Sequence, residues 1–306
     1  RDSGSMAGVT FDERDVAVKI AISYLIKIAH KNGKKVGICG QAPSDYPEFV
    51  EFLIKEGIDS ISLNPDVIGK TRKLVAKIED RMMIRPVNLR DCIVFLRVDM
   101  NSPVDKTTGK FLDEHRINDG VSAMGWCFEN GADVVVAISH QGRKKEDTLK
   151  NHIPVIERYF PNKVKFVGNI SNLPQAIKDA KRGDILLLEN VRSLDEEKDY
   201  TDVGNTVLYK TFKEVEKITN KKLVYAKDDL AVSHRKDLSV YGLPMQLRKE
   251  GYEVVAGQLI KNELVRARMA KEKMQKSNVI GLWGGGKFED YLHLFEPFLI
   301  SYKNSV

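Results

Sequence analysis

The chain has 306 residues, 42% of them hydrophobic, 30% charged and 8% aromatic, a globular composition that excludes a disordered, collagenous or disulfide-framework protein. Its long apolar runs, such as Val134 to Ile138 and Ile185 to Leu188, fall far short of the roughly 18 to 20 residues a membrane-spanning helix needs. The 49 Lys and Arg against 43 Asp and Glu leave a net charge of +6, which favours anionic ligands but is spread too evenly to argue for nucleic acid.

From Asp15 to His30 the apolar positions Val18, Ile22, Leu25, Ile26 and Ala29 recur at helical spacing until Asn32-Gly33 breaks the pattern, which predicts a helix. Lys35 to Ile38 reads as a short strand. Pro47 to Glu56 places Phe49, Val50, Leu53 and Ile54 on one helical face before Gly57, and Ile58 to Leu63 alternates apolar with polar. The order helix, strand, helix, strand, helix points to a parallel sheet. A pair of strands leaves open edges, so this segment reads as part of a larger barrel or sheet.

A second series begins near Met83. Its strand candidates are Cys92 to Val98, Asp133 to Ile138, Val164 to Val167, Asp184 to Leu188 and Leu223 to Ala226, separated by helical segments. These nearly continuous apolar runs are those of strands covered by helices on both faces of a parallel sheet. A charged helix from Gly257 to Lys276 leads into one more strand, Asn278 to Trp283, and a glycine run at Gly284, Gly285 and Gly286. The roughly 25 residues that follow are too few for a nucleotide-binding domain of ordinary size. Cys39, Cys92 and Cys127 are widely spaced, form no CxxC pair or Cys/His cluster, and read as free thiols with no metal site. No basic segment followed by an apolar one stands at Arg1, so a cytoplasmic chain is expected.

Several strands of the second series are followed by polar residues of one recurring type, where an open parallel sheet presents its ligand site. Arg97, Asp99 and Asn101 stand at the end of the first strand, His140 and Arg143 after the second, Arg192 after the fourth, and His234 and Arg235 further on. Taken singly, each arginine reads equally as a surface ion pair. Gathered at strand ends, their guanidinium forks suit a compact, highly charged anion.

The strings RVDMNSP (Arg97 to Pro103), DEHRI (Asp113 to Ile117), SHQGR (Ser139 to Arg143), LLLENVR (Leu186 to Arg192), SHR (Ser233 to Arg235), AGQLIKNEL (Ala256 to Leu264) and GGGK (Gly284 to Lys287) follow one another in the order of a known family. Over residues 83–306 the chain resembles phosphoglycerate kinase, the archaeal type especially. The resemblance implies a doubly wound α/β domain that binds 3-phosphoglycerate and a second domain that binds ATP or ADP with Mg. It implies phosphoryl transfer between ATP and the acid's carboxylate, giving 1,3-bisphosphoglycerate, in glycolysis and gluconeogenesis. By the same resemblance Asp99, Asn101, Arg116, His140, Arg143, Arg192 and Arg235 bind the acid. Arg116 also meets the transferring group, Gly284, Gly285, Gly286 and Lys287 form the nucleotide domain's first loop, and Arg116 and Lys287 are the catalytic pair that stabilises the moving group. A loose transition state with charge on its equatorial oxygens asks for fixed positive donors rather than a nucleophile. Asp237 stands where many members carry a second histidine, and Tyr291 where bacterial and eukaryotic members carry a second lysine. The family's later nucleotide motifs are missing, so turnover by this chain alone is not expected.

The first residues carry a separate resemblance. RDSG (Arg1 to Gly4), FDERD (Phe11 to Asp15), VGICGQAPSDYPEF (Val36 to Phe49) and EGIDSISLNPD (Glu56 to Asp66) are similar to the C-terminal barrel end of phosphoenolpyruvate synthase. In that family a cysteine at the end of a barrel strand exchanges a proton with the enolpyruvate carbon, and Cys39 matches it. On its own, Cys39 reads as well as a half-buried structural cysteine. The expected organisation is therefore a partial (β/α) barrel fragment over 1–81, a phosphoglycerate-binding domain over 82–256, and an interdomain helix with the start of a nucleotide domain over 257–306. With no Gly/Ser-rich linker near Met82 and Met83, the junction reads as two neighbouring genes joined in one frame. The rival reading of the basic pocket is a non-catalytic phosphate- or RNA-binding module.

Overall fold

The computed structural model describes residues 12–84, 87–105, 107–142 and 144–274, without the side chains of 79–84. In the first stretch, helix α1 (Val16–Lys31) starts at Asp15, whose carboxylate accepts from the Ala17 amide, and ends in His30 and Lys31, cations suited to the negative end of the helix dipole. Strand β1 (Gly37–Ile38), the short helix α2 (Ala42–Asp45), helix α3 (Pro47–Glu56), strand β2 (Ser60–Ile61) and helix α4 (Ile68–Ile84) follow. β1 and β2 pair in parallel, Gly37 with Ser60 and Ile38 with Ile61. The strand expected over Ile58 to Leu63 pairs only at its centre. Pro47 opens α3, where its missing amide costs nothing, and Gly57 closes it in a left-handed conformation at φ 87°. Phe49 and Leu53 of α3 bury against Ala42, with Ile22, Ile38 and Ile61 packed around them. Asp59 ties the segment together: its Oδ2 accepts from the Val36 amide and from His30 Nε2, both at 2.8 Å.

From Ile93 onward the elements are β3 (Ile93–Val98), α5 (His115–Glu129), β4 (Val134–Ile138), α6 (Ile153–Glu157), β5 (Val164–Val167), α7 (Leu173–Lys178), β6 (Asp184–Leu188), α8 (Val207–Thr219), β7 (Leu223–Asp228), α9 (Leu243–Lys249) and β8 (Glu253–Ala256). The strands form one sheet in the order β5-β6-β4-β3-β7-β8, parallel throughout. Alternation along β3 divides the core. Val94, Leu96 and Val98 join a cluster with Ile117, Val121 and Met124 of α5 and Val155 and Ile156 of α6. Ile93 and Phe95 join another with Leu173 of α7, Leu208, Phe212 and Val215 of α8, and Leu247 of α9. Helices thus cover both faces, the doubly wound α/β architecture expected from the sequence.

The helix spacing explains the division. Leu208, Phe212 and Val215 recur at the intervals that make one apolar stripe, and the Phe212 ring lies 4.7 Å from that of Phe95. Strand β8 was not foreseen. Beyond Gly257 the chain forms a second compact unit, in which α10 (Gln258–Met274) carries a Glu263–Arg266 ion pair at 2.8 Å one turn apart. The strand expected at Asn278 to Trp283, together with Arg1 to Gly4 and Tyr291, lies outside the described residues.

Candidate functional site

The strand order reverses beside β3, whose neighbours β4 and β7 lead to opposite edges of the sheet, and such a switch point opens a crevice at the C-terminal strand ends. The loops there are laced to one another by buried polar groups. Ser139 Oγ accepts from the Met100 amide at 2.9 Å, Gln141 exchanges hydrogen bonds with both the amide and carbonyl of Ser102, and Asn101 Oδ1 accepts from the Gly142 amide at 2.8 Å. Asn190, fully buried after β6, receives the Gln141 amide on Oδ1 and donates Nδ2 to the Gln141 and Asp147 carbonyls. His152 Nε2 donates to the Met100 carbonyl at 3.0 Å. Loops from β3, β4 and β6 are thereby held as one rigid rim.

Charged side chains converge on that rim. Asp99 is almost buried, its Oδ2 accepts from Arg116 Nη1 at 3.1 Å, and its Oδ1 lies 3.8 Å from His140 Nδ1. Arg116, in the first turn of α5, keeps half its side chain exposed. Arg192 donates Nη1 to the Gly142 carbonyl. Burial lowers its pKa, with Arg235 and Arg97 adding to the effect and Asp237 and Asp99 opposing it. His140 is held as a neutral imidazole: burial first, then Arg97, Arg192, Arg235 and Arg116, bring its pKa down to about 2. Arg116, Arg192 and Arg235 at the rim and Arg97 beneath it all bear on one buried ring, a concentration of positive charge whose chemistry suits an anion.

The structure brings together Asp99, Asn101, Arg116, His140, Arg192 and Arg235 of the residues expected from the sequence. Arg143, Gly284, Gly285, Gly286 and Lys287 lie outside the described residues. His234 is exposed. Arg97 is a correction. It was expected at the rim with the other arginines, but it is only 1% exposed, and its donors go to Ser239 Oγ, the Val98 carbonyl and His140 Nδ1. In β3 it shares the face of Ile93 and Phe95 and turns inward beneath the site. Cys39 is exposed and directly follows β1, while Cys92 and Cys127 are buried; all are free thiols. Gln141, Asn190, Glu197 and Ser239 were missed. The first pair sits inside SHQGR and LLLENVR, where side-chain amides joining loops were the available signal. Among the described residues no group of His, Cys, Asp and Glu could hold a metal ion, and no helix is long and apolar enough to cross a membrane.

Comparison with known proteins finds matches to different families along the chain. Residues 84–304 match the family model for phosphoglycerate kinase, and residues 1–80 match that for a PEP-utilising enzyme, PEP-binding domain. The phosphoglycerate kinase of Pyrobaculum aerophilum is 35% identical over 226 residues, which are 69% of this chain and 52% of that protein. A probable phosphoenolpyruvate synthase of Staphylothermus marinus is 55% identical over 89 residues, 29% of this chain and 11% of that protein. The crystal structure of phosphoglycerate kinase from Pyrococcus horikoshii superposes with a TM-score of 0.59 at 26% identity, covering 72% of this chain and 52% of that one. The chain spans about half the length of the curated phosphoglycerate kinases it matches and about a tenth of the synthases. On the match to residues 84–304, joined here to a segment similar to phosphoenolpyruvate synthase, the chain belongs to the phosphoglycerate kinase family.

Proposed function

We propose that residues 82–256 are a phosphoglycerate-binding domain, which takes 3-phosphoglycerate at the C-terminal ends of β3, β4, β6 and β7 and serves ATP-dependent phosphoryl transfer to its carboxylate. The observation that carries the reading is the set of Arg97, Arg116, Arg192 and Arg235 acting on buried His140. Arg192, Arg235, Arg143 and His140 hold the acid's phosphate. Arg116, anchored by Asp99 yet half exposed, faces the carboxylate and the group in transit, and Asn101 fixes the loop between them. Prearranged guanidinium groups meet the developing charge of such a transfer without reorganising. Asp237 partly neutralises Arg192 and tempers affinity for the acid.

Residues 257–306 contribute the interdomain helix and the first nucleotide loop, with Gly284, Gly285, Gly286 and Lys287 toward ATP or ADP with Mg; that side of the reaction rests on resemblance. Residues 1–81 are the barrel end of a phosphoenolpyruvate synthase, with Cys39 at a strand terminus. The setting for both parts is the cytoplasm.

Calorimetric titration of 3-phosphoglycerate into the chain tests the reading. A dissociation constant between micromolar and low millimolar, roughly −8 to −4 kcal/mol, is expected, and Arg192→Ala should weaken it at least about tenfold. Absence of binding by a chain that circular dichroism shows to be folded would contradict it.

A further inference from the structure

Beneath the rim, four segments meet in a line of buried polar groups. Glu197, from the turn after β6, is 1% exposed; Ser239, from the turn after β7, is fully buried; Arg97 lies in β3, and His140 follows β4. Glu197 Oε2 accepts from the Ser239 amide at 3.0 Å and its Oε1 from Ser239 Oγ at 2.6 Å. Ser239 Oγ accepts from Arg97 Nε at 2.9 Å, and Arg97 Nη2 lies 3.3 Å from His140 Nδ1.

With Glu197 ionised, proton placement along this line has one solution. A guanidinium carries donors only, so Ser239 Oγ must accept from Arg97 and spend its own hydrogen on Glu197. For the same reason His140 Nδ1 must be the unprotonated nitrogen, which puts the ring hydrogen on Nε2. The competing arrangement is also present. Asp99 Oδ1, 3.8 Å from Nδ1, would favour a proton on that nitrogen if Arg97 did not occupy it. The charged groups bearing on the ring are Arg97, Arg192, Arg235 and Arg116, opposed by Asp99 at 3.8 Å, while buried Asp229 faces Arg97 Nε at 3.9 Å.

We propose that Glu197, Ser239 and Arg97 form a positioning relay that fixes His140 as the neutral tautomer protonated at Nε2. The pocket then meets its anion with an imidazole N–H donor rather than an imidazolium, and Arg97 acts through His140 without touching the ligand. The ligand's identity rests on the phosphoglycerate-binding reading above; the state of the ring does not.

Nitrogen-15 NMR of the histidine rings in the full chain, without ligand, tests the relay, with His140→Asn used to assign the signal. The expected result is a pyridine-type Nδ1, a pyrrole-type Nε2 and no titration between about pH 5 and 8. A proton on Nδ1, or a ring that titrates in that range, would overturn the proposal. In Ser239→Ala, and in Arg97→Lys, which keeps the buried charge but loses the fork, the ring should shift toward the Nδ1-protonated form. Affinity for 3-phosphoglycerate should fall about tenfold, the worth of roughly one charge-assisted hydrogen bond. An unchanged ring in either folded variant would overturn the relay. A wild-type ring in the expected state in a chain that binds no 3-phosphoglycerate would instead overturn the ligand assignment and leave the relay standing.

Discussion

Glu197 shows what a single buried charge does to this fold. Its carboxylate takes hydrogen bonds from Ser239 on both oxygens, yet burial pushes its pKa from the ordinary 4.5 up to about 7. A carboxyl raised in the folded state contributes stability that is complete below pH 4.5 and lost as pH rises through about 7. Glu197→Gln is therefore expected to flatten the decline in unfolding free energy between those limits, an effect of about 3 kcal/mol at most, read by urea unfolding at a series of pH values. An unchanged slope would show that Glu197 is already compensated in the fold. This residue was invisible in the sequence because LDEEKD reads as a solvated acidic turn, and only the fold turns one of its carboxylates inward. Arg97 was misplaced for a related reason. The sequence locates it at a strand end, but which face it takes depends on the alternation of Ile93 and Phe95 against helices far along the chain.

Strands that are apolar and buried on both faces were readable in the sequence: β6 has the limits its run suggests, and β3 and β4 begin one residue later, while edge strand β5 keeps its expected limits although Lys165 is exposed. β8 escaped because Glu253 and Ala256 bound only two β-branched residues, and pairing with β7 rather than propensity makes it a strand. The loops between elements were legible as places where chemistry gathers, but their mutual hydrogen bonds were not. Gly142 is the clearest case. At φ 60° its amide binds Asn101 and its carbonyl binds Arg192, and a Cβ there would lie 2.5 Å from Cγ of Asp147. Gly142→Ala should cost about 1 to 3 kcal/mol in stability and weaken acid binding through Arg192, checked by thermal unfolding and calorimetry on the same preparation. Stability and affinity equal to the parent chain's would show that the rim does not depend on this turn.

Across the molecule, the apolar cores answer different questions. The cluster around Phe49 and Leu53 belongs to residues 12–84, whereas Phe95 and Phe212 stand in the core of the doubly wound sheet that carries the rim. Phe95→Ala should cost about 3 to 5 kcal/mol and remove acid binding as the sheet loosens. Phe49→Ala should disturb the first segment and leave affinity for the acid within about twofold, as expected for sites with no shared partners. Loss of acid binding in Phe49→Ala would tie the first segment to the function of the second. The central claim is that the ends of β3, β4, β6 and β7 form a seat for 3-phosphoglycerate. The most direct test is a crystal structure of the chain with that acid bound. Its phosphate is expected within hydrogen-bond distance of Arg192, Arg235 and His140 Nε2, with the carboxylate turned toward Arg116; an acid seated elsewhere, or an empty rim at saturating concentration, would contradict the account.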